Sequence, residues 1–169
     1  QDDTDVDKLR EEFSKIKSPY SKEGLERFTP SYNSPQLALS LALKKHYSGH
    51  SHKVISIKGE QGYAVMKIIL ADESETQTLE TQWLFEARVE NSTSTIPDFI
   101  EIENGALPPH LKDDIIQSMR DFLTKCNGHA LKTKLVEIVH NLHGTPVSSN
   151  GGMYWLPDKS LDVWEQVTA

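Results

Sequence analysis

Three histidines fall within seven residues, at His46, His50 and His52. Imidazoles grouped in one short loop are a donor set that can hold a transition metal. His140 and His143, three apart on an expected helix, share a face and form a second possible pair. Histidine also serves at helix C-termini, where it meets free carbonyls and the negative end of the dipole. No Cys-x-x-Cys or His-Glu-x-x-His accompanies either group, so a metal-dependent enzyme using His46, His50 and His52 is the last of three readings. Acidic pairs occur at Asp2-Asp3-Asp5 and Asp113-Asp114. Both lie at expected helix starts, where anions are favoured electrostatically, and neither implies acid–base catalysis. Cys126 is the single thiol, placed near a helix end whose negative dipole disfavours a thiolate. There is no Gly-x-Ser-x-Gly elbow, phosphate loop or dinucleotide fingerprint. No catalytic residue and no cofactor follow from these residue types.

The residues that dictate a local shape lie elsewhere. Gly151 and Gly152 supply the positive φ angles of a tight turn, Tyr154 and Trp155 place aromatics on the returning strand, and Pro157 ends it. Tyr154 and Trp155 alternate, so one belongs in the core and the other is available to a partner. Upstream, two helices are expected. The first runs from Pro108-Pro109 through Leu111, Ile115, Met119 and Phe122, with Asn127-Gly128 as its stop. The second runs through Leu131, Leu135, Ile138, Val139 and Leu142 and ends at His143-Gly144. Helix, helix and hairpin follow one another as in a winged-helix module, with Lys132 and Lys134 on the second helix and the hairpin turn as wing.

Residues 2–17 predict an amphipathic helix, from Val6, Leu9, Phe13 and Ile16. Residues 18–33 read as a loop or short linker, so the first 33 residues form an arm. Ser34-Pro35 starts a helix that runs to about Tyr47, apolar on several faces and therefore buried. Three strands follow, at 52–58, 63–71 and 78–89, joined by the polar turns 59–62 and 72–75. Alternation along the third places Trp83, Phe85, Ala87 and Val89 on one face. Phe99 to Ile102 is a short strand or lies against the sheet edge.

The expected fold class is α+β: a three-stranded antiparallel meander flanked by helices, with a C-terminal helix–helix–hairpin, winged-helix-like unit. Three segments are expected: 1–33 as arm, 34–108 as helix plus meander, and 109–169 as the helix–helix–hairpin–helix unit packed with the second.

Gly151 to Pro157 resembles a Gly-Gly-Val-Tyr-Phe-Val-Pro signature from an uncharacterised family of bacterial and phage proteins. The order of elements over residues 30–165 is similar to that family's. This chain departs at Met153, Trp155 and Leu156, apolar for apolar. The resemblance implies a non-enzymatic domain that continues past the hairpin into helix, and it brings no catalytic residues.

Composition narrows the partner. The 169 residues carry a net charge of −7, which does not steer a chain to nucleic acid. The acid is uneven: residues 34–108 carry −4 and residues 109–169 only −1, so nucleic acid, if bound, belongs with the last third. No apolar run approaches the ~20 residues that span a bilayer. One cysteine fits a reducing, cytoplasmic setting. A start at Gln1 and a last helix that stops with the chain imply a longer natural protein. Self-association through the first or last helix is compatible with these patterns. The first expectation for function is a binding or scaffolding domain that works through protein contacts at Tyr154 and Trp155. The second is a nucleic-acid-associated winged module using Lys132 and Lys134.

Overall fold

The computed structural model describes residues 4–47, 49–73, 76–148 and 152–169, with side chains outside 70–78. Asp2, Asp3 and Gly151, and residues 74 and 75 of the expected 72–75 turn, lie outside the described residues. The fold is α+β; the described residues form five α-helices, a four-stranded antiparallel sheet and two two-stranded pairs. The chain divides into two compact units, a sheet unit Asn33–Leu123 and a helical unit that joins Gln1–Tyr32 to Thr124–Ala169.

The helical unit opens with β1 (Thr4–Asp5) and α1 (Val6–Lys15). The Asp5 carboxylate accepts from the Lys8 amide at 3.0 Å and caps α1, satisfying one donor that the helix leaves open. Val6, Phe13 and Ile16 are buried, as the spacing of apolar residues requires. Residues 18–32 are not a free linker. A single 3₁₀ turn spans Glu26–Phe28, and Leu25 is fully buried, its amide donating to the carbonyls of Phe13 and Ile16 at 3.1 Å each. The Tyr32 hydroxyl donates to Asp7 at 2.6 Å.

In the sheet unit, α2 (Pro35–Tyr47) begins as its residues predict. The Ser34 hydroxyl accepts from the Leu37 amide at 3.2 Å, and Pro35 takes the first helical position. Ala38, Leu39, Ala42 and Leu43 are all fully buried. The sheet follows as β2 (His52–Ser56), β3 (Gly62–Glu73), β4 (Thr76–Arg88) and β5 (Asp98–Glu101), in that spatial order. The segment around Phe99 is therefore a fourth strand rather than an edge loop. α3 (Pro109–Leu123) packs on α2. Phe85 sits at the centre of this core with Val65, Leu39, Leu43, Ile115 and Met119.

One reading of the sheet is corrected. Trp83 does not share a face with Phe85: Phe85 is 0% exposed and Trp83 43%. Val65 pairs with Phe85, but the next residue, Met66, pairs with Trp83, so Leu84 is an extra residue in β4. Such a bulge reverses the side-chain alternation beyond it. The Leu84 carbonyl accepts instead from the amides of Ile102 and Glu103, at 3.0 and 2.9 Å, and anchors the chain leaving β5.

Tyr47 closes the core beneath β4, its ring edge-on to Phe85 at 5.4 Å and to His52 at 5.3 Å. Its hydroxyl is buried and finds no hydrogen-bond partner among the described residues. Burial pushes the phenol up to about 12. A neutral phenol is thus favoured in the fold, so its contribution is complete below the ordinary pKa of ~10 and is lost as pH climbs from there through the folded value. Tyr47→Phe removes a hydroxyl whose desolvation is uncompensated, at a typical cost of about 1–3 kcal/mol. The variant is expected to match or exceed the parent in urea denaturation at pH 7. Its stability should also fall less than the parent's between pH 10 and 12.

The helical unit resumes with β6 (Lys125–Cys126), which pairs antiparallel with β1 through Thr4–Cys126 and Asp5–Lys125. α4 (Gly128–Asn141) follows at once. Asn127 does not terminate α3, which ends at Leu123; its side chain accepts from the Ala130 amide at 2.8 Å and caps α4. β7 (Thr145–Pro146) and β8 (Tyr154–Trp155) make the hairpin ribbon, and α5 (Asp158–Thr168) comes after Pro157. Phe13, Ile16, Leu25, Ile138, Leu142 and Val163 form this unit's core. No helix of the described residues is long and apolar enough to cross a membrane.

Candidate functional site

The ribbon exists because α4 ends sharply. His143 takes a left-handed conformation at φ 58°, and the Gly144 amide donates back to the Val139 carbonyl at 2.8 Å. A Cβ at Gly144 would meet the Val139 side chain at 2.4 Å and its carbonyl oxygen at 2.8 Å, so only glycine lets the chain leave this close to the helix. The Tyr20 ring stands edge-on to His143 at 4.2 Å, and its hydroxyl lies 3.3 Å from Ser160 Oγ. The buried Ser160 hydroxyl donates to the Leu142 carbonyl at 2.9 Å, so α5 is fastened to the end of α4.

Within the ribbon, Thr145 pairs with Trp155 and Pro146 with Tyr154. The Val147 amide donates to the Met153 carbonyl at 2.9 Å and extends the pairing by one step. Gly152 is at φ 90°, a turn position that suits glycine. Cross-strand partners share a face and successive residues alternate. Val147, Met153 and Trp155 therefore lie on one face and Tyr154 on the other. The three are 59%, 63% and 59% exposed. Tyr154 is half-buried, its ring edge-on to His140 at 5.7 Å.

Beneath the ribbon, α4, β8 and α5 enclose a groove of about 560 Å³. Leu135, Val136 and Val139 of α4 line it, with Leu156, Tyr154 and Trp164 across from them. Lys132 and Met153 also border it.

Lys134 is held by Glu137 at 2.7 Å, whereas no ion pair to Lys132 occurs among the described residues. α3, the first helix of the expected winged module, belongs to the sheet unit, while α4 and the ribbon belong to the helical unit. His46 Nε2 lies 3.0 Å from Ser118 Oγ, which also receives the Lys45 ammonium at 3.3 Å. This knot ties the end of α2 to α3. His52 Nδ1 lies 2.9 Å from Ser51 Oγ, and His50 is exposed in the turn before β2. Among the described residues no three His, Cys, Asp or Glu side chains gather as a metal ligand set. Asp113 and Asp114 are exposed in the second turn of α3, and Cys126 is buried.

Sequence reading missed the groove. Its signal was present in part: Lys132, Leu135, Val136 and Val139 recur at three- and four-residue spacing along α4. What the spacing lacks is the opposite wall, which comes from β8 and α5. Compared with protein-family profiles, curated proteins and solved structures, the chain matches none.

Proposed function

We propose that the helical unit is a protein-binding module that engages its partner through the outer face of the β7–β8 ribbon. The observation that carries this reading is the exposure of Val147, Met153 and Trp155 side by side on one ribbon face. Isolated apolar residues on a surface are ordinary, but a contiguous group that includes Trp and Met has the composition of an interface centre. Residues 144–157 contain no Asp, Glu, Lys or Arg, in a chain that is 25% charged as a whole. A nucleic-acid surface needs cations for phosphate contacts, and the ribbon supplies none. The lone, buried Cys126 suits a reducing compartment such as the cytoplasm.

Photocrosslinking in the native host tests the reading. The protein is made with benzoylphenylalanine in place of Trp155, or in place of the exposed Glu165 on α5 as a control. The expected result is a discrete protein adduct from position 155 that is absent from position 165 and weakened by Val147→Ser with Met153→Ser. Adducts that do not differ between the two positions would overturn it.

A further inference from the structure

The two faces of the ribbon differ in kind. Val147 and Trp155 are exposed on the outer face, whereas Tyr154 and the edge residue Met153 close a groove against α4 and α5. A volume of about 560 Å³ lies within the range of small-molecule sites, which are mostly apolar with few polar groups. Among the described residues nine line this groove, and of these Lys132 alone is charged. Lys132 makes no ion pair among the described residues, while Lys134, two positions along, is neutralised by Glu137. The cation sits at one end of the apolar stripe. From Lys132 to Val139 is seven residues, or about 10 Å of helix, and everything between on that face is Leu135 and Val136.

We infer that the groove is a binding site for a small monocarboxylic acid with an extended apolar body, the carboxylate meeting Lys132 and the body lying along Leu135, Val136 and Val139. The apolar lining supplies most of the affinity by removing ligand surface from water. The exposed Lys132 selects the sign of the head group. A single exposed ion pair contributes up to about fivefold in affinity. The site shares Met153 at its edge with the protein-contact face, but Tyr154 turns toward the groove while Trp155 does not line it.

The test uses sodium decanoate, below its micellar concentration, titrated into the full chain with methyl NMR as readout. Saturable shifts are expected at Leu135, Val136 and Val139. Decyltrimethylammonium, of equal chain length and opposite charge, should bind more weakly, by about fivefold. Lys132→Gln should lower decanoate affinity by about fivefold and erase the discrimination between the two probes. Val136→Trp, which fills the groove, should abolish the shifts. Trp155→Ala should leave decanoate binding unchanged, so failure here is separate from failure of the protein-contact reading. The inference is overturned if decanoate causes no saturable shift at these methyls, if the cationic probe binds equally well, or if Lys132→Gln binds like the parent. It is likewise overturned if only vesicles of anionic phospholipid move these resonances.

Discussion

Phe85→Ala is expected to cost about 3–5 kcal/mol, the range for removing a large aromatic side chain from a closed core. Phe85 is fully buried in the centre of the sheet unit. Its ring is edge-on to Tyr47 at 5.4 Å and tilted on Phe99 at 6.2 Å, so truncation removes aromatic contacts from α2's end and from β5 together. The neighbours cannot collapse into the space easily. Val65 is fixed opposite by the ladder, and the bulge at Leu84 fixes the backbone immediately before. Amide hydrogen exchange resolves the effect by position. Protection is expected to fall in α2, β3, β4 and β5, while the amides of α4 change by less than about 1 kcal/mol. Equal loss of protection in α4 would mean that the two cores are not separate.

Ile138→Ala is the matching experiment in the helical unit, with an expected cost of about 2–5 kcal/mol. Ile138 is fully buried and packs with Phe13, Ile16, Leu25, Leu142 and Val163. These residues come from α1 and its C-terminal cap, the 18–32 segment, the cap that ends α4, and α5, so the core joins parts of the chain far apart in sequence. Its removal should lower protection in α1, α4 and α5 and spare the amides of β3 and β4. Loss at β3 and β4 of the same size, with α1 unaffected, would contradict the assignment of α1 to this core.

These two cores show where the sequence was and was not readable. Periodicity reports a face, and a face is visible wherever one element has an apolar stripe. α1, α2, α3, α4 and three strands were legible for that reason, as was the Ser34-Pro35 start. The pairing of β1 with β6 was not, because two-residue strands separated by about 120 residues leave no local pattern. The bulge at Leu84 was not, because an extra residue in a strand looks like an unbroken alternation until its partner strand is known. Asn127 carried a double meaning: Asn-Gly reads equally as a helix stop and as the start of the next helix, and the hydrogen bond to Ala130 decides for the start. Residues 18–32 looked like a linker because they are polar, yet Leu25 among them is fully buried.

The candidate site divides in the same way. The opposition of Tyr154 and Trp155 follows from strand geometry alone; Trp155 is exposed, while Tyr154 is half-buried along the groove and not in the core. Lys132 and Lys134 looked equivalent on a list of cations. They lie two apart on a helix, which points them to different sides, and Glu137 is in reach of only one. The His46–His52 run looked like a ligand set because its members are close in sequence. In the fold His46 lies on a helix that turns it toward Ser118, and His52 lies on a strand beside Tyr47.

Protein contact through the outer ribbon face is the proposed function of the helical unit. The measurement that tests it directly is calorimetric affinity of the partner captured at position 155, for the parent and for Trp155→Ala. An interface centred on Trp155 predicts a loss of about 2 kcal/mol or more, roughly thirtyfold, with unfolding of the variant unchanged because the side chain is exposed. Equal affinity for parent and variant would contradict the account.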